Sequence, residues 1–418
     1  MLPDRYVAAS PKGRKVFVGK VDDRYVLYRN GRPFFIQGAS GSTFLKELHE
    51  AGGNTIRVYD TLQLASVLDE AYKNNIAVIV GLPMPASVYR DYYRSNENVE
   101  AMYKAFFNTV VRYKDHPALL MWCLGNELGM TWKPGHYAFY NAYNRLLDMI
   151  HETDPDHPVT TTMPNFNIAQ VLMIKYRVPG LDIISFNTFG KLKFLNAQLQ
   201  RYAPLWNGPF LVMEWGAYGP WESETTAWNV PVENTSTKKA QHYLDMYTTQ
   251  MPLTHPRFLG SMVFFWGQKQ EITPTWFSTF SATGAATEAV HVLRQLWRKT
   301  APDMDVPRLK YMLVNGEGAR DNLFFRPQSV QAAEYVMEAD NKAGITSVQW
   351  QIMKEDWYED LKRKRPPVIL LDTMTSAAGG NRLLFTTPLQ EGPYRIYVKI
   401  ADGHGNEATA NTPFYVVN

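Results

Sequence analysis

Between Phe34 and Trp266 the chain repeats one alternation eight times: a short apolar run, then a stretch whose apolar residues recur at helical spacing. The runs are Phe34–Gly38, Thr55–Tyr59, Ala77–Leu82, Leu119–Gly125, Val159–Met163, Ile183–Asn187, Phe210–Met213 and Ser261–Trp266. Strands buried on both faces give such continuous apolar runs, and strands alternating with amphipathic helices give a parallel sheet. Eight is the number that closes a (β/α)₈ barrel. The expected helices include Ala65–Asn75, Val99–Tyr113, Tyr137–His151, Ala240–Met251 and Thr287–Lys299. Asp115-His116-Pro117 and Asp156-His157-Pro158 should each end a helix, because the residue before proline is pushed out of the helical region. An open doubly wound sheet is the rival, disfavoured because no run is followed by a dinucleotide-type glycine fingerprint.

The pattern differs on either side of this region. Lys15 to Gln37 alternates apolar and polar residues around Asp22-Asp23 and Asn30-Gly31, which predicts short antiparallel strands. From Ala301-Pro302-Asp303 to Pro307 the chain resembles a linker. Beyond it, period-two alternation over Gln331–Glu338, Ser347–Met353, Val368–Leu371, Arg382–Thr386, Tyr394–Ile400 and Ala408–Val417 predicts a β-sandwich of immunoglobulin-like type. The expected division is a catalytic barrel with an N-terminal hairpin over residues 1–300 and a sandwich over 301–418. Both fit within 418 residues. Asp402-Gly403-His404-Gly405-Asn406 lacks the ligand spacing of a metal loop and predicts a hairpin turn.

Composition excludes several classes. A hydrophobic share of 45% and a net charge of +3 are those of an ordinary globular protein. No window approaches the 18 or so apolar residues of a membrane-spanning helix, and the run Lys362 to Arg365 is too short for a nucleic-acid surface. The single cysteine, Cys123, rules out an internal disulfide and lies in an apolar run as a buried small hydrophobe. MLPDRYVAAS carries no export signal, so the expectation is a soluble monomer, secreted or periplasmic only if a signal peptide has been removed. His49, His151 and His157 lack metal-ligand spacing, and no Gly-x-Ser-x-Gly elbow occurs; no metal or cofactor is expected.

Chemistry in a parallel barrel sits at the C-terminal ends of strands. After the fourth run comes Gly125-Asn126-Glu127, and after the seventh comes Met213-Glu214-Trp215. Two carboxylates emerging at one mouth are what glycosidic cleavage needs, one to protonate the leaving oxygen and one to attack or to activate water. Trp132, Trp215, Trp221, Trp228 and Trp276 follow strands four, seven and eight, where flat rings serve as sugar platforms; Trp122, Trp297 and Trp350 lie in apolar periodic stretches and are expected in the core.

The arrangement resembles glycoside hydrolase clan A over roughly the first 300 residues. The resemblance implies that Glu127 is the general acid/base, Glu214 the nucleophile and Asn126 a ligand of the sugar 2-hydroxyl. It also implies that Arg57 holds the nucleophile ionised and that Trp266 forms the floor of the sugar subsite. Clan members commonly place a tyrosine after the sixth strand. Here the chain reads Ser185-Phe186-Asn187-Thr188-Phe189, which leaves that role absent or transferred to Tyr59 or Tyr89. Gly53 to Thr61 looks like families 2 and 72, and a barrel followed by a sandwich resembles the endo-β-1,3-glucanases of family 158. Family 2 enzymes normally carry sandwiches before the barrel, and family 72 enzymes carry disulfides. The expected activity is therefore retaining hydrolysis of β-glucan, with endo-acting β-1,3 cleavage leading, Trp132 and Trp215 among the binding residues, and an oligo- or polysaccharide as partner. The alternatives are a glucanosyltransferase and a carbohydrate-binding pseudoenzyme.

Overall fold

The computed structural model describes residues 13–133, 135–302, 305–355, 367–376 and 380–418. The amino-terminal decapeptide, the basic run at 362–365 and part of the expected linker lie outside these residues. The chain divides into two compact units, Met1–Trp215 with Thr249–Phe264, and Gly216–Thr248 with Phe265–Asn418. Among the described residues no helix is long and apolar enough to cross a membrane.

The first unit is built on eight parallel strands: β1 (Ile36–Ser40), β2 (Thr55–Val58), β3 (Ala77–Leu82), β4 (Leu119–Asn126), β5 (Val159–Pro164), β6 (Ile183–Asn187), β7 (Phe210–Trp215) and β8 (Phe258–Val263). Each pairs with its successor, and β8 closes onto β1 with Gly260 opposite Ile36. Ile36, Ile79, Met121, Ile183, Met213 and Met262 fill the interior. Removing one such side chain down to alanine typically costs about 2–5 kcal/mol, the transfer term plus the cavity left behind. The hairpin Val16–Val21 and Arg24–Arg29 adds Val16 and Leu27 to this cluster. It is tied to the loops that precede β5 and β8, since Val16 N donates to Asp156 O (2.9 Å) and Tyr25 N to Pro256 O (2.7 Å). It therefore covers the N-terminal end of the barrel and leaves the C-terminal mouth for chemistry.

Among the described residues this unit has seven α-helices: α1 (Leu45–Glu50), α2 (Leu64–Lys73), α3 (Arg90–Arg94), α4 (Asn96–Tyr113), α5 (Tyr137–Thr153), α6 (Ile168–Arg177) and α7 (Leu192–Arg201). α2 buries Leu64, Val67, Leu68 and Ala71, a spacing that puts all four on one face. Both proline-marked stops hold: α4 ends at Tyr113 and α5 at Thr153.

The second unit carries α8 (Ser236–Asp245), α9 (Glu288–Arg298) and two sheets over one core. Its strands are β9 (Leu309–Val314), β10 (Leu323–Phe325), β11 (Val330–Met337), β12 (Ser347–Lys354), β13 (Ile369–Ser376), β14 (Arg382–Thr386), β15 (Gly392–Ala401) and β16 (Glu407–Val416). One sheet runs β9-β11-β14 and the other β10-β16-β15-β12-β13. Trp350, Ile396, Val398 and Phe414 are among the residues packed between them. The turn at 402–406 joins β15 to β16, and the Asp402 carboxylate accepts from His404 N, Asn406 N and Asn406 Nδ2. Such local carboxylate-to-backbone bonds are what favours Asp at turns.

Two buried polar groups knit this unit together. Arg395 forms a two-pronged pair with Glu355 (Nε to Oε1 2.7 Å, Nη2 to Oε2 3.0 Å) and also donates to Asn411 Oδ1 and Pro231 O. Glu233 accepts from Lys239 Nζ, Thr275 Oγ1, Thr273 Oγ1 and Asn411 Nδ2, all within 2.6–2.8 Å. A buried carboxylate is tolerated when its lone pairs are filled in this way.

Candidate active site

The backbone at the two strand ends aims both carboxylates. β4 slips register against β5 between Cys123 and Asn126, and β7 slips against β6 between Val212 and Glu214. Such irregularities re-aim a side chain that regular pleating would send elsewhere. Gly125 and Glu127 both take positive φ, 76° and 52°. At Gly125 a Cβ would stand 2.3 Å from Leu128 Cδ1, so glycine is required there. Glu127 carries a side chain in the left-handed region, at a cost of about 1–2 kcal/mol. Its N–H is held by Thr162, through both the carbonyl (3.2 Å) and Oγ1 (3.1 Å).

From this frame a hydrogen-bond chain crosses the mouth. Asn187 Nδ2 donates to Glu127 Oε1 (2.8 Å) and lies 3.2 Å from Asn126 Oδ1. Asn126 Oδ1 also accepts from Thr162 Oγ1 and Arg57 Nη2, both at 2.7 Å. Arg57 Nη1 then donates to Glu214 Oε1 at 2.8 Å, and Tyr59 OH donates to the same oxygen at 2.8 Å. The Arg57 guanidinium lies 4.3 Å from the Tyr59 ring centroid, and Phe264 meets that ring edge-on. Arg57 and Glu214 are buried, whereas Asn126 and Glu127 face solvent.

The electrostatics differ from the expectation in one respect. Arg57 was expected to depress the carboxyl pKa of Glu214. Burial instead pushes it above its ordinary value, and the Arg57 charge and the Tyr59 hydrogen bond pull it only part of the way back. Desolvation penalises the charged form, and almost no water reaches this carboxylate. Burial also raises Tyr59 well above the usual phenol range, so it remains a donor.

Of the residues singled out from sequence, Arg57, Tyr59, Asn126, Glu127 and Glu214 converge. Tyr59, rather than the 61% exposed Tyr89, makes the tyrosine contact to Glu214. The tryptophans divide. Trp215 and Trp266 are fully buried and present no open ring face for a sugar, because Trp215 is the last residue inside β7 and Trp266 packs against Phe280 and Trp297. Trp132 is 66% exposed, with the Arg177 guanidinium 4.9 Å from its ring. Trp122, Trp297 and Trp350 are buried, as core residues. Asn187 and Thr162 were given no role from sequence; Asn187 ends the sixth run, and Thr162 lies inside the fifth among other threonines. Cys123 lies buried in β4, and that burial lifts its thiol pKa.

A closed barrel with this mouth defines the class of (β/α)₈ glycoside hydrolases. The glycosyl hydrolase family 2 TIM-barrel domain matches residues 55–266, about half of the chain. The chain therefore belongs to glycosyl hydrolase family 2. Rat and mouse β-glucuronidases are each 26% identical to it over 220 residues, which is 45% of this chain and 32% of theirs. The match thus spans about a third of the length of these relatives. Among solved structures, Bifidobacterium dentium β-glucuronidase complexed with coumarin-3-O-glucuronide superposes with a TM-score of 0.54 at 17% identity, over 69% of this chain and 50% of that one. Bacteroides uniformis β-glucuronidase 2, covalently bound to cyclophellitol-6-carboxylate aziridine, gives 0.52 at 14% identity, over 96% of this chain and 48% of that one. These likenesses concern the fold. The short stretch before the first barrel strand, where family 2 enzymes normally carry sandwiches, weakened a family 2 assignment from sequence, yet the family's barrel domain matches.

Proposed function

We propose that the chain is a retaining β-glycosidase in which Glu214 is the nucleophile and Glu127 the acid/base. The observation that carries this reading is the unbroken path Glu127–Asn187–Asn126–Arg57–Glu214, which holds two carboxyl groups at the ends of β4 and β7. Arg57 and Tyr59 share Oε1 of Glu214, so Oε2 is the oxygen that attacks the anomeric carbon. As that bond forms, the bond from C1 to the leaving oxygen breaks and the Glu127 proton passes to the departing group. Glu127, now a base, takes a proton from water, whose oxygen displaces Glu214 and restores the starting anomer. Three donors on Asn126 Oδ1 fix the orientation of that amide and leave Nδ2 for the sugar 2-hydroxyl. Intact partners on both carboxylates favour an enzyme over a binding pseudoenzyme.

For the sugar, the reading taken from sequence is endo-acting cleavage of β-1,3-glucan, with likeness to families 72 and 158. The relatives found are named β-glucuronidases and lend that reading no support. They favour a second one, a β-linked uronide. Turnover of laminarin, 4-nitrophenyl β-glucuronide and 4-nitrophenyl β-glucoside, with and without an oligosaccharide acceptor, separates the two and tests for transglycosylation.

Proton NMR of the first product should give the retained anomer. Glu127→Ala should lose on the order of 10²–10⁴-fold in turnover of natural glycosides, yet still accept an aryl glycoside of an acidic phenol and be rescued by azide with retention. Inverted product from the parent enzyme, or no azide rescue of Glu127→Ala, overturns these roles.

A further inference from the structure

The loop after β3 builds a second feature on the side of the mouth where Glu127 stands. It is tied to the two residues that follow Glu127: Ser87 N donates to Leu128 O (2.8 Å), and Ser87 Oγ donates to Gly129 O (2.7 Å). Tyr93 anchors it from below, donating to Pro85 O and packing edge-on against Phe139 at 5.1 Å. Val88, Tyr89, Arg90, Asp91, Tyr92 and Arg94 are among the residues that line a pocket of about 690 Å³ here. Hydrogen bonds thus hold this surface against the segment that directly follows Glu127.

Two guanidinium groups and the single carboxylate of Asp91 leave it net positive. A Cβ at Gly135, whose φ is 89°, would stand 3.5 Å from Arg90 Nη1 and 3.7 Å from Arg94 Nη2, so both side chains reach the same turn of the loop after β4. Among the described residues the one ion pair at this surface is Arg94 with Asp91, a 3.4 Å contact between exposed side chains that is too long and too solvated to hold the charge. The field is felt beneath the surface: burial first, then the charges of Arg90 and Lys133, hold His136 below its usual pKa. Two guanidinium groups that reach one turn of the chain with a single weak counter-charge favour an anion beside them. Tyr89, 61% exposed at the same pocket, offers a flat face beside them.

We propose that this surface is a leaving-group subsite for an acidic sugar, one bearing a carboxylate or a sulfate ester, gripped by Arg90 and Arg94 and stacked on Tyr89. The inference rests on Glu127 being the acid/base, because the sugar on that side is the one that departs. It names the substrate class as anionic saccharides whatever sugar occupies the subsite at Glu214.

Calorimetric binding of three probes tests it without turnover: tetragalacturonate, a sulfated galactan tetrasaccharide and neutral laminaritetraose. At low salt at least one acidic probe should bind about tenfold more tightly than the neutral one, and raising the salt toward 0.2 M should erase most of that preference. Arg90→Ser/Arg94→Ser should abolish the preference, Arg90→Lys/Arg94→Lys should keep part of it, and Arg94→Glu should reverse it, each with an unchanged melting temperature. Whether tetragalacturonate or the sulfated probe wins identifies the acidic group. Equal affinity of the parent for all three probes, or a preference that survives in the serine double variant, overturns the subsite. The two failures are distinguishable. Charge-dependent binding without turnover of any glycoside sinks the glycosidase reading and leaves an anion-binding surface that is no leaving-group subsite, whereas retaining turnover with charge-blind binding sinks the subsite alone.

Discussion

Among the described residues two guanidinium–carboxylate pairs are fully buried, and they are built in opposite ways. In the second unit Arg395 meets Glu355 with two prongs, and both carboxylate oxygens are occupied. In the barrel Arg57 and Tyr59 converge on a single oxygen of Glu214. Among the described residues no donor reaches Oε2. A saturated pair has nothing left to offer a ligand and serves the fold, whereas a half-saturated pair keeps a lone pair ready. Geometry around the carboxylate, rather than burial or the presence of an arginine, distinguishes a fastening from a site.

The largest expected effect is the loss of the reactive oxygen itself. Glu214→Ala should lower turnover by on the order of 10⁴-fold or more, with azide restoring product as a glycosyl azide of inverted configuration. If azide gives the retained anomer instead, Glu214 is not the nucleophile and the contrast between the pairs loses its meaning. Arg395→Met should follow, as a stability effect. It strands Glu355 in the interior, for about 3–5 kcal/mol measured by denaturant unfolding. The acidic limb of its pH–rate profile should stay in place. A displaced limb would mean that the fastening also tunes the site.

Arg57→Met should do the converse. Glu214 must be ionised to attack, and its folded pKa already lies above the ordinary 4.5. Removing the neighbouring cation raises it further, so the acidic limb of kcat/KM should move to higher pH. The linkage has a definite sign. A carboxyl with a raised folded pKa contributes stability that is complete below pH 4.5 and is lost as pH rises through the raised value. The variant should therefore melt progressively lower than the parent as the pH climbs from 4 toward neutrality. An unmoved limb with an unmoved melting curve would break the contact. Tyr59→Phe, which removes one of the two donors, should shift the limb in the same direction by less and cost roughly tenfold in kcat/KM, about the worth of one hydrogen bond to a charge.

Much of this architecture is legible in the residues, and the exceptions share a cause. β4 announces itself because seven successive residues, Leu119 to Gly125, are all buried. The eighth strand was displaced because Phe258 to Trp266 is one long apolar stretch, and composition does not say where pairing stops. It stops at Val263, which leaves Trp266 beyond the strand and inside the packing of the second unit. β9 and β10 went unread because Leu309–Val314 directly follows linker-like sequence and Leu323–Phe325 is only three residues long. At the site, Glu127, Glu214 and Arg57 follow from strand ends and a family pattern. Asn187 and Thr162 act only through partners on other strands, and no local pattern marks a polar residue whose partner lies across a barrel. The direction of the Glu214 shift was missed for a related reason: sequence identifies the neighbouring charge, but only coordinates weigh it against lost water.

Cys123 gives the barrel a built-in reporter. It is the only cysteine of the 418 residues. It sits in β4 with its Sγ 3.4 Å from Gly125 O, and its thiol is held protonated by burial. The thiolate is the reacting form, so a thiol reagent can modify the folded chain only when β4 opens. The labelling rate therefore measures how often β4 comes free. Since Cys123 lies four residues before Glu127, any molecule that binds the closed mouth should slow labelling in proportion to its occupancy. A saccharide collection can then be ranked by thiol protection, before a chromogenic substrate is known and in variants that turn nothing over.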